Sequence, residues 1–116
     1  MGARRRDIFE PSEDEITAAV VDHWRTFGVP GSLVASIPNK RAFGQAGLTP
    51  GMPDLLALSP ALGSLTGFIE LKTKRGRLSD AQLHIGKLIV ERGAPYAVCW
   101  GLEEPIEQLR AWGAIR

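Results

Sequence analysis

Cysteine and long apolar runs are both scarce in this chain of 116 residues. The single cysteine, Cys99, excludes an internal disulfide and any zinc site built from several cysteines. No apolar run approaches the roughly 20 residues of a membrane-spanning helix, and residues 1–10 have no apolar stretch of the signal-peptide type. No Ser-His-Asp arrangement and no phosphate-binding glycine loop can be assembled. With 44% hydrophobic and 23% charged residues, the sequence predicts one globular, cytoplasmic domain.

Acidic residues are also scarce in the middle of the chain, although the formal net charge is only +1. Between Asp22 and Asp80 the only carboxylates are Asp54 and Glu70. The cations of the same interval are Arg25, Lys40, Arg41, Lys72, Lys74, Arg75 and Arg77. Because the distribution of charge decides whether a protein attracts polyanions, this basic half is typical of a nucleic-acid-binding surface.

Hydrophobic periodicity and turn residues predict the element order α-β-β-β-α-β-α after a flexible basic arm over residues 1–11. The first helix, over residues 12–27, begins with a Ser-x-x-Glu capping box and ends at a glycine. Its apolar stripe consists of Ile16, Ala19, Val20, His23 and Phe27. The other elements are strands over 33–37, 54–58, 66–72 and 95–100 and helices over 79–92 and around 105–112. The uninterrupted apolar strand over 95–100 is typical of a central strand.

The second and third predicted strands form a hairpin whose turn is centred on residue 62, which sets Asp54 opposite Glu70. Because strand residues alternate sides, Glu70 and Lys72 point to the same face. Two carboxylates in a basic neighbourhood favour a Mg²⁺ ion between them, since this ion prefers oxygen ligands and leaves positions for water and phosphate. Such an ion polarises a phosphodiester, and Lys72 can hold the attacking water or stabilise the phosphate.

Each of these residues also has a purely structural interpretation. Asp54 can be a turn residue at the start of a strand. Glu70 and Lys72 can form a surface face with a cross-strand salt bridge, although Phe68 on the same side argues against full solvation. Gln82 can be a polar residue with satisfied hydrogen bonds.

Four segments occur in order along the chain: Ile37-Pro38-Asn39-Lys40, Gly51-Met52-Pro53-Asp54, Ile69-Glu70-Leu71-Lys72-Thr73 and Ser79-Asp80-Ala81-Gln82. Together they resemble the motifs of the VRR-NUC domains, a branch of the PD-(D/E)XK nucleases, and the resemblance spans residues 13–109. It implies an α/β fold with a restriction-endonuclease-like α-β-β-β-α-β core, in which a mixed sheet is flanked by helices. Residues 12–116 would then form a single nuclease domain.

The resemblance implies an endodeoxyribonuclease that depends on Mg²⁺, with Mn²⁺ able to replace it. Asp54 and Glu70 would bind the metal and the backbone carbonyl of Leu71 would add a ligand. Lys72 would serve the attacking water.

Two helical residues would complete the site. Gln82 would support it from the crossover helix, and Glu15 would correspond to the glutamate that the family carries on its first helix. The capping box already explains Glu15, and Glu13 fits the same role within the uncertainty of the helix start.

The resemblance also implies the partners. Stand-alone VRR-NUC proteins are small, are typical of bacteriophages and bacteria, and resemble dimeric Holliday-junction resolvases. We therefore expect a homodimer that cuts four-way DNA junctions in a bacterial cytoplasm. The residues expected to contact DNA are Lys40, Arg41, Lys74, Arg75 and Arg77. The alternatives are a flap, nicking or restriction-type nuclease and a catalytically silent DNA-binding module.

Overall fold

The computed structural model describes residues 10–38 and 46–116, and every structural statement below concerns these residues. The elements are α1 (Glu13–Phe27), β1 (Leu33–Ser36), β2 (Leu55–Leu58), a 3₁₀ helix (Pro60–Leu62), β3 (Gly67–Lys72), α2 (Asp80–Glu91), β4 (Tyr96–Trp100) and α3 (Glu103–Ala111). The predicted element order is therefore confirmed. Lys40, Arg41 and residues 1–9 of the predicted basic arm lie outside the described residues. None of the described helices has the length and apolarity that crossing a membrane requires.

The four strands form one mixed sheet in the order β1-β2-β3-β4. Neighbours from β1 to β3 are antiparallel, whereas β4 returns through α2 to lie parallel to β3. Leu55 pairs with Ile69, which is the register expected for a turn centred on residue 62. The predicted α/β fold with a mixed sheet flanked by helices is confirmed.

The apolar sequence of β4 predicted a central strand, but β4 lies at one end of the strand order. Its apolar character has another cause, because helices cover both of its faces. Cys99 belongs to the core that includes Leu109 of α3, and the Tyr96 hydroxyl lies on the opposite side against Gly86 of α2. A strand between two helical layers is apolar on both faces wherever it lies in the sheet.

The core forms where α1 and α3 pack on one face of the sheet, and its fully buried side chains include Ile16, Val20, Ile69, Leu71 and Leu109. The predicted stripe of α1 is only partly confirmed. Ala19 is exposed and Phe27 is 46% exposed, whereas Trp24 packs against the core. The side chains that pack inward, Ile16, Val20 and Trp24, are four residues apart, and positions 19 and 27 lie beside this row.

Candidate active site

Three carboxylates from three elements converge beside the β2–β3 hairpin. Glu13 lies in the first turn of α1, Asp54 immediately precedes β2, and Glu70 lies in β3. One oxygen of each carboxylate lies within 4.8 Å of the other two. Oxygen atoms grouped in this way are the donor set that a hard divalent cation prefers.

The loop before β2 is shaped so that Asp54 points at β3. Gly51 has a φ of +90° and lies against α2, where a Cβ would be 2.4 Å from the carbonyl oxygen of Ala81. Only glycine fits this close approach without strain. Beyond it, the Asp54 amide donates to the Ile69 carbonyl at 3.0 Å, and Asp54 Oδ2 accepts from the Leu71 amide at 2.7 Å. The Asp54 carboxylate thus accepts the hydrogen bond of a β3 amide that a backbone carbonyl of β2 would otherwise accept.

The backbone carbonyl of Leu71 points to the side of β3 on which Asp54 lies. The next carbonyl along β3, that of Lys72, accepts from the Gly101 amide at 2.9 Å on the β4 side. Because successive carbonyls of a strand point in opposite directions, the Leu71 carbonyl points to the side of Asp54. This direction is the one that its predicted role as a backbone ligand requires.

Glu70 is only 1% exposed, so it is an ionisable group inside the protein. Its Oε2 accepts from Gln82 Nε2 at 3.2 Å, whereas its buried Oε1 has no hydrogen-bond partner among the described residues. Burial, followed by the neighbouring Asp54 carboxylate, raises the pKa of Glu70 to about 9, against a smaller lowering by Lys72. A buried oxygen without a partner is costly, and a bound cation would satisfy it. The donor set therefore fits a divalent metal ion.

Gln82 is locked between the start of α2 and Glu70. Its amide oxygen accepts from the Ser79 amide at 2.8 Å, while its own backbone amide donates to Ser79 Oγ at 3.2 Å. This reciprocal capping box leaves the Gln82 amide nitrogen directed at Glu70. One Gln82 side chain therefore both caps α2 and contacts Glu70.

Glu13, rather than Glu15, is the glutamate of the first helix that reaches the other carboxylates. Glu15 is exposed, and its Oε1 accepts from the Ser12 amide at 3.0 Å. This hydrogen bond to the backbone lowers the pKa of Glu15. Two residues along a helix correspond to a rotation of about 200°, so only one of the two glutamates can face the sheet. The placement of Glu15 in the site is thereby corrected.

The predicted basic residues divide into one buried and several exposed side chains. Lys72 is 6% exposed and lies close enough to Glu70 to lower its pKa. Lys74, Arg75 and Arg77 are exposed in the connection between β3 and α2.

Tyr96 also belongs to this region, although nothing in the sequence singled it out. Burial, followed by the charges of Glu70 and Asp54, raises the pKa of its phenol. Its hydroxyl rests against Gly86, where an added Cβ would lie 2.7 Å away. Tyr96 reaches this region because β4 pairs in parallel with β3, which sets Tyr96 beside Phe68, two residues before Glu70.

Comparison with known proteins identifies the family and the fold. The model of the VRR-NUC domain family matches residues 6–102. A solved structure described as a VRR_NUC domain protein superposes with a TM-score of 0.73 at 21% identity, covering 89% of this chain and 88% of that chain. Another, described as a VRR_NUC domain, has a TM-score of 0.60 at 21% identity, covering 85% of this chain and 94% of that chain. No curated protein sequence matches the chain significantly.

Proposed function

Because the chain belongs to the VRR-NUC family of nuclease domains, we propose that it is a metal-dependent endonuclease that hydrolyses phosphodiester bonds in DNA. The observation that carries this proposal is the convergence of Glu13, Asp54 and Glu70, whose oxygens lie within 4.8 Å of one another. The buried Lys72 beside them supplies a positive charge that a hydrolytic site for phosphate esters needs.

The three carboxylates and the Leu71 carbonyl would hold Mg²⁺, and Mn²⁺ would replace it because both ions accept oxygen ligands. Such an ion, when bound, would polarise the scissile phosphate and offset the negative charge that develops on the leaving oxygen. Gln82 keeps Glu70 oriented through its hydrogen bond to Oε2. Lys72 donates a hydrogen bond to the attacking water or to a non-bridging phosphate oxygen, where its positive charge stabilises the negative charge that develops during attack.

The cations around the site would bind the DNA backbone. Lys74, Arg75 and Arg77 are exposed directly after β3, the strand that carries Glu70 and Lys72. Lys40 and Arg41 belong to the same proposed surface by sequence, although they lie outside the described residues. Contacts of this kind bind DNA of any sequence, so they leave substrate choice to the shape of the DNA.

The preferred substrate in this proposal is branched DNA, in particular the four-way junction, cut by a homodimer. The described residues contain one group of three acidic side chains suited to a metal ion, which serves one strand. Resolving a four-way junction requires two cuts in strands related by an approximate two-fold axis, and a symmetric dimer supplies both.

A panel of labelled four-way junction, flap, nicked duplex, intact duplex and single-stranded DNA tests the proposal. We expect cleavage of the junction with Mg²⁺ or Mn²⁺ and none with a chelator. Glu70→Gln protein purified in parallel controls for contaminating nucleases. Preferential cutting of flaps or duplexes would overturn the junction assignment, and binding without cleavage under every condition would identify a silent DNA-binding module.

A further inference from the structure

Two of the exposed cations occupy the tip of a tight turn at the end of β3. The Gly76 amide donates to the Thr73 carbonyl at 2.9 Å, which closes a four-residue β-turn. Lys74 and Arg75 are its two central residues, and both are exposed. The turn therefore projects two positive charges immediately after Lys72.

The indole of Trp100 holds this turn from the neighbouring strand. Trp100 ends β4 and pairs in register with Lys72, so the two side chains lie on the same face of the sheet. Its Nε1 donates to the Gly76 carbonyl at 2.9 Å, while 37% of the residue remains exposed. The hydrogen bond thus joins the end of the sheet to the fourth residue of the turn.

Close packing under the turn adds to this hydrogen bond. A Cβ at Gly76 would lie 3.2 Å from Lys72 Cδ, so Gly76 rests on the Lys72 stem. The stem of Lys74 passes Gly101, where an added Cβ would lie 3.6 Å from its Cγ and Cε. The orientation of the turn is therefore coupled to the residue proposed to serve the attacking water.

We propose that Trp100 is a positioning residue for DNA binding, which holds the Thr73–Gly76 turn so that Lys74 and Arg75 face phosphates beside the carboxylates. This inference rests on the proposed nuclease function. Its physical basis is preorganisation: a turn that is ordered before binding does not lose that conformational freedom when DNA binds. Trp100 acts through Gly76 and needs no contact with DNA.

The Trp100→Phe variant tests the role, since it keeps an aromatic ring and removes the N–H donor. We expect the Kd for a four-way junction, measured with a chelator, to rise about 3- to 10-fold, the loss expected for one hydrogen bond. The cleavage rate at saturating DNA should fall less than the affinity does, because the metal ligands are unchanged while the turn that carries the cations is released. Trp24→Phe is the matched control, since its Nε1 donates to Ser32 Oγ at the same 2.9 Å and lies far from the turn along the chain.

A double-mutant cycle separates positioning from direct contact. In a Lys74→Gln/Arg75→Gln background, Trp100→Phe should cause little further loss of affinity, because the cations that it positions are gone. A fully additive loss would show that Trp100 itself contacts DNA and would overturn the proposal.

Hydrogen exchange of the Gly76 amide in the free protein provides a readout without DNA. It should be faster in Trp100→Phe than in wild type or Trp24→Phe, and equal exchange would overturn the holding role. Unchanged junction affinity in Trp100→Phe would overturn the inference and leave the nuclease proposal standing. A wild-type protein that neither binds nor cuts any DNA would overturn both.

Discussion

Glu70 is the residue at which the demands of the fold and of the proposed chemistry oppose each other. A buried carboxylate with one oxygen lacking a hydrogen-bond partner among the described residues destabilises the fold, yet the same oxygen is a ready ligand for a cation. The raised pKa means that Glu70 holds a proton at neutral pH until a metal displaces it. Metal binding is therefore expected to release a proton.

The stability of the metal-free protein should depend on pH through this residue. The pKa of Glu70 is near 4.5 in the unfolded chain and about 9 in the folded protein. Between these values the folded state binds a proton that the unfolded state releases, so the free energy of unfolding falls as pH rises through this window. Glu70→Gln should remove most of this pH dependence of the free energy of unfolding. In the wild type, Mg²⁺ should reduce the fall in stability with rising pH. Urea unfolding at several pH values, with chelator or Mg²⁺, measures this; parallel slopes for wild type and Glu70→Gln would contradict it.

Cleavage should distinguish the two glutamates of α1. Glu13→Gln removes a carboxylate from the cluster and should lower the single-turnover rate by about 100-fold or more, as should Asp54→Asn, Glu70→Gln and Lys72→Ala. Glu15→Gln removes the same charge from a capping box and should leave the rate within about twofold. Circular dichroism and thermal unfolding would check that each variant folds. Loss of cleavage in Glu15→Gln with full cleavage in Glu13→Gln would reverse the assignment.

Individual side chains were predictable from the sequence only where local rules place them. Asp54, Glu70 and Lys72 follow from strand alternation and one turn centre. The choice between Glu13 and Glu15 depends on how α1 is rotated against the sheet, which packing decides and no local pattern reports. The hydrogen bond from Trp100 to Gly76 joins residues 24 positions apart and has no sequence signature.

The two capping boxes show how one local motif has different roles in two helices. In α1 the motif pairs Ser12 with Glu15 at the surface, whereas in α2 it pairs Ser79 with Gln82 and extends to Glu70. The first box was predictable from sequence. The position of β4 at the end of the sheet was not, because coverage by two helices gives an edge strand the same composition as a central one.

Variants at the third residue of each box should separate these roles. Glu15→Ala removes one capping hydrogen bond and should lower the free energy of unfolding by about 0.5–1 kcal/mol. Gln82→Ala removes its capping hydrogen bond and also the one to the buried Glu70, so it should lower the free energy of unfolding by more, about 1–3 kcal/mol. Only Gln82→Ala should also lower cleavage, by about 10-fold, because Glu70 loses its partner. Urea unfolding and single-turnover cleavage of the same preparations provide both measurements. Equal cleavage by the two variants would show that Gln82 acts only as a capping residue of α2.

At the scale of the whole molecule, the near-neutral net charge conceals a group of exposed cations after β3, namely Lys74, Arg75 and Arg77. Neutralising Arg75 or Arg77 should weaken binding to all DNA shapes similarly and reduce the slope of log affinity against log salt by roughly one. Lys87→Gln is the matched control, since it removes an exposed charge from α2 whose ion pair with Glu91 is also exposed. Binding titrations at several salt concentrations test this. Unchanged affinity and slope in the arginine variants would locate the DNA surface elsewhere.

The assembly expected for junction cleavage is a dimer with two-fold symmetry. Under the proposed function, a monomer of 12.6 kDa with one carboxylate cluster among its described residues would cut one strand per binding event, whereas resolution needs two coupled cuts. Closed two-fold dimers are also the commonest oligomers of soluble proteins. Analytical ultracentrifugation at micromolar concentration should therefore give twice the monomer mass, and the junction should be cut symmetrically in paired strands. A monomeric mass even with DNA bound, or single uncoupled nicks, would contradict the dimeric resolvase and leave a monomeric nicking nuclease as the activity.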